Sequence, residues 1–222
     1  MSGPDLLKDY IEFINEPKHL INPIREARLM NNDFLEANTK TEWYMIPLFF
    51  TPQVIYMLYA TYMCQEATLL MTVAMFALGV IETSFFEYWI HRFIFHGEDY
   101  WLINDSRLIA FHFLIHGIHH AFPQDRRRLV LPPTLGMVFL FVLGVYPAFY
   151  IYGLPTHLAL PLIAGNYMGY VKYDCIHYFF HHSSPTFSYI KELKAHHMAH
   201  HYRNGQVGFG VSTKFWDVVF RT

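Results

Sequence analysis

Thirteen of the fifteen histidines in this 222-residue chain fall in four clusters, and the clusters flank long apolar runs. The densest is FHFLIHGIHH, which holds His112, His116, His119 and His120. Positions i, i+3 and i+4 share one helix face, so His116, His119 and His120 are expected to converge on one point beside a helix. The HxxHH spacing returns at His197, His200 and His201, preceded by His177 with His181 and, earlier, His91 with His96. Neutral imidazole is the commonest metal ligand. A repeated HxxHH therefore points to a polynuclear metal site.

The apolar runs decide where such a site can sit. Ile46 to Cys64, Ala67 to Ile81, Leu129 to Tyr152 and Leu154 to Val171 carry no Lys, Arg, Asp or Glu. A membrane helix needs about 17–25 apolar residues, and the second run continues through ETSFFEYWI to reach that length. Hydrophobic residues make up 53 % of the chain and aromatics 18 %, both high for a soluble domain. Membrane helices are expected at about 46–64, 67–90, 129–152 and 154–176, in two hairpins that turn at Gln65-Glu66 and at Gly153.

Charge gives the orientation. All 16 Lys and Arg residues lie outside the four charge-free runs: five before Ile46, five between Arg92 and Arg128, and six from Lys172 onward. The positive-inside rule then puts both termini and every clustered histidine on the cytoplasmic side. The expected fold is all-α: an integral membrane four-helix bundle of two hairpins, with a cytoplasmic helical cap (91–128 and 177–222) holding a histidine-rich dimetal site. Residues 1–45 read as a cytoplasmic or interfacial arm, broken at Pro17 and Pro23, ahead of a membrane domain at 46–222. The polar first forty residues do not form a signal peptide. Cys64 and Cys175 are too few for a disulfide framework, and a net charge of −2 gives no reason to expect a nucleic-acid partner.

Taking HxxxxH, HxxHH, HxxxH and HxxHH gives ten candidate ligands: His91, His96, His116, His119, His120, His177, His181, His197, His200 and His201. Ten imidazoles suit two ions with about five each. His91 and His96 stand about 140° apart on an ideal helix, so they can share an ion only if the helix bends, bulges or ends between them. No CxxC or HExxH is present, and Glu87 to His91 and Glu192 to His196 are one residue too long for Glu-x-x-His pairs, which argues against structural zinc, zinc-protease and soluble carboxylate di-iron sites. An all-nitrogen site beside a membrane points to redox chemistry with dioxygen, and imidazole by itself does not choose among iron, copper and zinc.

HRFIFH, HGIHH, HYFFH and HMAHH, together with YDCIH, LVLPPTL and HHYRNGQVGFGVS, resemble the fatty acid 2-hydroxylases. These belong to the membrane fatty acid hydroxylase and sterol desaturase superfamily, and the resemblance runs from about Trp43 onward. It implies oxygen insertion at the carbon next to the carbonyl of a long fatty acyl chain, free or within a ceramide. It implies a pair of iron ions, which zinc can replace in purified material, and dioxygen as oxidant. Electrons would come from NAD(P)H through cytochrome b5, in the endoplasmic reticulum membrane. No haem-binding HPGG occurs in the 222 residues, so a separate cytochrome b5 and its reductase are the expected partners.

Tyr173 and Asp174 lie one turn before His177 and are the candidate catalytic residues: the hydroxyl toward substrate, the carboxylate toward a ligand imidazole. His112 is expected behind the ligands, and His182 and His196 as structural histidines. Arg126, Arg127 and Arg128 precede an apolar run and read as a lipid-headgroup anchor. Two other readings fit the spacing: another oxidase of the superfamily (sterol desaturase, C4 methyl oxidase or sphingoid-base hydroxylase), or a metal-handling membrane protein without turnover.

Overall fold

The computed structural model describes residues 5–18 and 28–222. Residues 1–4 and 19–27 of the expected arm, Pro23 among them, lie outside the described residues. The described chain is helical, without strands. In order, the α-helices are α1 (Leu6–Asn15), α2 (Asp33–Ala37), α3 (Met45–Tyr62), α4 (Leu69–Ile90), α5 (Ser106–His112), α6 (Ile118–Ala121), α7 (Pro133–Leu140), α8 (Thr156–His182), α9 (Ser188–Tyr202) and α10 (Phe215–Phe220). Side-chain caps start several of them. Asp5, Asn32, Thr68 and Asp105 each accept a backbone N–H from the first turn of the helix that follows.

The 27 residues of α8 form the central helix, packed against α4 and α3. Small residues set the α4–α8 distance. A Cβ on Gly79 would overlap the Leu162 carbonyl, and one on Gly165 would overlap the Phe76 carbonyl. Close backbone approach through small residues is how helices pack where burial from water supplies little drive. On its other side α8 packs with Ile46, Phe50 and Val54 of α3, which are buried with Leu162, Ile163 and Tyr167.

Among the described residues, two helical stretches are long and apolar enough to cross a membrane, Leu69–Phe95 and Pro133–Ile151, each with mean hydropathy 1.9. The outward faces are apolar as well: Leu69 is 81 % exposed and Leu70 80 %, with Ile55, Tyr56 and Tyr59 of α3 also exposed. Large apolar side chains exposed in such number along two helices are foreign to a water-soluble monomer. The third expected run is not one α-helix. Leu129 and Val130 are buried ahead of it, the helix starts at Pro133, and π-helical segments at Phe141–Val145 and Pro147–Ile151 follow α7. Pro147 has no N–H to offer an i−4 carbonyl, which accounts for a break in the α pattern there.

The N-terminal helix α1 packs on the segment that carries α5 and α6. On α1, Tyr10 and Ile14 are buried with Leu102, against Trp101, Leu108 and Phe113. One expectation is corrected here. Arg128 does not reach lipid headgroups: it is buried, and its guanidinium donates to Glu36 at 2.6 Å and Asp125 at 2.7 Å. Charged forks bind carboxylates strongly, and this one joins α2 to the loop before α7. Burial pushes the Glu36 carboxyl up, but N–H groups of Met30 and Leu29 with Lys40 and Arg128 outweigh it and bring it to about 2. Arg127 lies 3.1 Å from Glu42, leaving Arg126 as the exposed member of the triplet.

Candidate metal centre

The ten histidines named from spacing gather at the end of α4, on the α5–α6 segment, at the end of α8 and on α9, and all ten are buried. They fall in two groups. His91, His96, His116, His120 and His200 each bring one ring nitrogen within 4.8 Å of the others, and so do His119, His177, His181, His197 and His201. The single convergence point expected for His116, His119 and His120 is therefore corrected. His119 turns to the second group while its neighbours serve the first, and in the second HxxHH it is His200 that crosses over. The groups adjoin, with the His120 and His201 rings 4.4 Å apart.

Local backbone makes these faces possible. The chain leaves α4 through a π-helical turn, His91–Phe95, closed by the His96 N–H donating to the His91 carbonyl at 3.0 Å. A bond from i to i+5 puts the sixth residue over the first, so the bulge brings together two rings that an α-helix would hold apart. A second π-helical turn, Phe113–Gly117, precedes α6 in the same way.

Hydrogen bonds fix the outer nitrogens of the first group. Nδ1 of His91 donates to the Phe209 carbonyl at 2.6 Å, that of His96 to Glu98 at 2.8 Å, and that of His200 to the Val207 carbonyl at 2.9 Å. A neutral ring carries one proton, so each Nε2 is left with a lone pair. The His96 and His200 Nε2 atoms face each other at 3.0 Å, and among the described residues Nε2 of His91, His116 and His120 has no hydrogen-bond partner. Buried lone pairs aimed at one another are costly unless a cation sits among them. In the second group, Nε2 of His177 is 2.9 Å from that of His119, and Nε2 of His181 is 2.8 Å from that of His197. Both sets fit a metal ion on donor chemistry.

Burial, then neighbouring rings, lowers the basicity of His91, His116, His119, His120, His181, His197 and His201 well below the ordinary imidazole range. Burial alone is the main reason that His177 falls to about 4, and burial with His96 brings His200 to about 3. These nine rings are thus neutral at physiological pH, the form a metal needs.

Spacing did not single out the carboxylates that hold this arrangement. Glu87 accepts the N–H groups of Val211 and Ser212, each at 2.7 Å, and the Ser212 hydroxyl at 2.6 Å. Asp217 accepts the N–H groups of Phe209 and Gly210 and lies 3.2 Å from His196 Nε2. Between them they pin the segment whose carbonyls receive His91 and His200. Gly208 turns that segment at φ 77°, a conformation that suits glycine. His182 packs on Tyr178. His112 has both nitrogens taken, by the Tyr10 hydroxyl at 2.6 Å and the Phe95 carbonyl at 2.6 Å, and is no ligand.

A cavity of about 410 Å³ opens beside both groups. His116, His119 and His177 stand in its wall, and it runs past Ile90, Leu131 and Leu140 to Gly144 and Asn166 within the helical bundle. Tyr173 and Asp174 line it. The Tyr173 ring stacks on His177 at 5.7 Å between centroids. Asp174 contributes to the cavity wall and contacts Tyr170 instead of orienting an imidazole. The Nδ1 partners of His96, His91 and His200 are the Glu98 carboxylate and the Phe209 and Val207 carbonyls.

Residues 76–222 match the family described as fatty acid hydroxylase. The chain is 40 % identical over 220 residues to the ceramide very long chain fatty acid hydroxylase of Saccharomyces cerevisiae, covering 98 % of this chain and 54 % of that protein. It is 36 % identical over 231 residues to the fatty acid 2-hydroxylase of Mus musculus, covering 96 % and 59 %. The dihydroceramide fatty acyl 2-hydroxylase of Arabidopsis thaliana is 36 % identical over 218 residues, covering 97 % and 86 %. The chain thus spans little more than half the length of the yeast and mouse relatives. A solved structure of full-length scs7p, with only its hydroxylase domain visible, superposes with TM-score 0.86 at 40 % identity, covering 96 % of this chain and 77 % of that one.

Proposed function

The chain belongs to the fatty acid hydroxylase family, and from that premise we propose that it is a membrane monooxygenase acting at C2 of long fatty acyl chains, free or in ceramide. The observation that carries this reading is the apolar cavity, which runs from both histidine groups into the helical bundle and would hold a lipid tail with its carbonyl end at the cage. The names of the relatives support the acyl substrate and the position of attack.

The chemistry fits the parts. The two five-histidine groups would hold one iron ion each, His91, His96, His116, His120 and His200 one of them, and His119, His177, His181, His197 and His201 the other. Iron bound there supplies dioxygen activation and an oxidant able to take hydrogen from an unactivated C–H bond. Per turnover one C–H, one dioxygen, two electrons and two protons become C–OH and water. Electrons from NAD(P)H would arrive through a separate cytochrome b5 and its reductase. The chain's own part is to place and shield. Leu131, Leu140 and Ile90 exclude water from the tail, which protects the oxidant from side reactions. Tyr173, stacked on His177, offers its hydroxyl to the acyl carbonyl end, and Asp174 supplies a polar wall beside it.

The setting is proposed to be the endoplasmic reticulum membrane, with four helical spans in two hairpins and the cage, both termini and the cap of 91–128 and 177–222 on the cytoplasmic side. Support comes from the exposed apolar faces of α3 and α4 and from the clustering of Lys and Arg outside the runs. The test is the full chain in lipid vesicles, loaded with ferrous iron and given cytochrome b5, its reductase, NAD(P)H and dioxygen. A 2-hydroxy acyl product by mass spectrometry is expected. Product oxidised elsewhere would point to a different oxidase of the superfamily. Oxygen uptake that ignores added acyl lipid would leave a metal-handling protein.

A further inference from the structure

We propose that Tyr10, on the N-terminal helix α1, positions the ligand His96 through a relay formed by His112 and Glu98. The inference rests on the reading of the His91 group as metal ligands. Tyr10 lies outside residues 76–222, the part of the chain that matches the fatty acid hydroxylase family description.

The relay is continuous in space, though its ends lie far apart in sequence. The Tyr10 hydroxyl is 2.6 Å from His112 Nδ1. His112 Nε2 is 2.6 Å from the Phe95 carbonyl and 3.2 Å from one Glu98 oxygen. The other Glu98 oxygen accepts from His96 Nδ1 at 2.8 Å, and His96 Nε2 faces His200 at 3.0 Å. Roles follow from the acceptors. A carbonyl can only accept, so the His112 proton sits on Nε2 and its Nδ1 must take the hydroxyl proton of Tyr10. That choice keeps an N–H beside Glu98 and so leaves the carboxylate free to turn its other oxygen to His96. Gly117 belongs to the same device, because a Cβ there would overlap the Tyr10 hydroxyl.

Removing the hydroxyl leaves the buried Nδ1 lone pair of His112 without a donor, so that side of the ring is no longer anchored and its Nε2–H can swing away from Glu98. Glu98 then rotates, and His96 loses the partner that fixes its tautomer and ring angle. Outer hydrogen-bond partners of metal-bound imidazoles typically control affinity by 10–100-fold. Direct loss at Glu98 should reach about that range, and loss at Tyr10, two residues further out, about threefold to tenfold.

Cobalt(II) titration of the metal-free full chain in detergent, followed by its visible spectrum, is the assay. Wild type should take up two ions. In Tyr10→Phe and in Glu98→Gln, one ion should bind more weakly while the other keeps its wild-type affinity. The double variant should match Glu98→Gln alone, because both changes cut one relay. Ile14→Val, which loosens α1 packing without touching the relay, should bind both ions as wild type does. Wild-type affinity for both ions in Tyr10→Phe overturns the proposal, and so does equal weakening of both ions in Tyr10→Phe and Ile14→Val. A wild-type chain that takes up no pair of ions overturns the metal reading itself, which separates the two failures.

Discussion

Replacing Glu87 tests whether the C-terminal segment is held to α4 for the sake of the cage. Its carboxyl group accepts two backbone N–H groups at 2.7 Å and the Ser212 hydroxyl at 2.6 Å, and Val211 and Ser212 are buried. In Glu87→Ala the two N–H groups lose their acceptor with no water to replace it. A buried orphaned donor costs about 1–3 kcal/mol, so the substitution should cost about 3–5 kcal/mol in all. For a chain of this size, with about 2–4 °C lost per kcal/mol, the melting temperature should fall by about 10 °C. Glu87→Gln can rebuild the set: its carbonyl oxygen accepts both N–H groups and its NH₂ donates to the Ser212 hydroxyl. It should melt within a few degrees of wild type. The same anchor fixes the segment whose Phe209 and Val207 carbonyls orient His91 and His200, so Glu87→Ala should also weaken one of two metal ions. Thermal unfolding followed by circular dichroism, with metal titration of each variant, reads both effects. Equal melting of wild type and Glu87→Ala would refute the reasoning, and so would a destabilised Glu87→Ala that binds both ions normally.

Metal-free protein should lose stability on mild acidification. His177 and His200 titrate at about 4 and about 3 in the fold and at about 6.5 when unfolded. The unfolded chain therefore binds more protons between those values. The contribution is complete above about pH 6.5 and is lost as pH falls toward 4. At pH 5 each such ring costs about 2 kcal/mol, so a melt at pH 5 that matches one at pH 7 would contradict the assignment. Arg128→Ala leaves Glu36 and Asp125 buried without their shared cation and should cost about 3–5 kcal/mol, measured as a fall in melting temperature. Gly165→Ala forces a methyl against the Phe76 carbonyl and should cost about 1–3 kcal/mol by pushing α8 from α4. Gly153→Ala, where a Cβ meets nothing within 4 Å, controls for glycine removal without a clash, although its φ of 60° adds backbone strain of its own.

Much of the cage was legible in the sequence because ligand spacing is a local property. HxxxH on a continuous helix puts His177 and His181 on one face whatever surrounds them, and the ten histidines named that way are the ten the fold gathers. The helical class was legible too, since long charge-free runs have few other solutions. The π-helical turn at His91–Phe95 was only conditionally legible: spacing demanded a bend or bulge and could not say which. The triplet at Arg126 misled because charge beside an apolar run reads as an anchor, while the partner that buries Arg128 is Glu36, 92 positions away.

By itself, then, the sequence pointed to the ten histidines that the fold gathers, to helices that carry them, and to the segments apolar enough to meet lipid. Only the tertiary structure decided how ten rings divide into two groups of five, with His119 and His200 each leaving its own motif's majority. It alone supplied the outer hydrogen bonds, from His91 to the Phe209 carbonyl and from the Tyr10 hydroxyl to His112, across separations of 118 and 102 residues. The reason is physical. A ligand's identity is fixed by its own chemistry and near neighbours, whereas its tautomer and angle are fixed by whichever acceptor the packed chain brings to the far side of the ring.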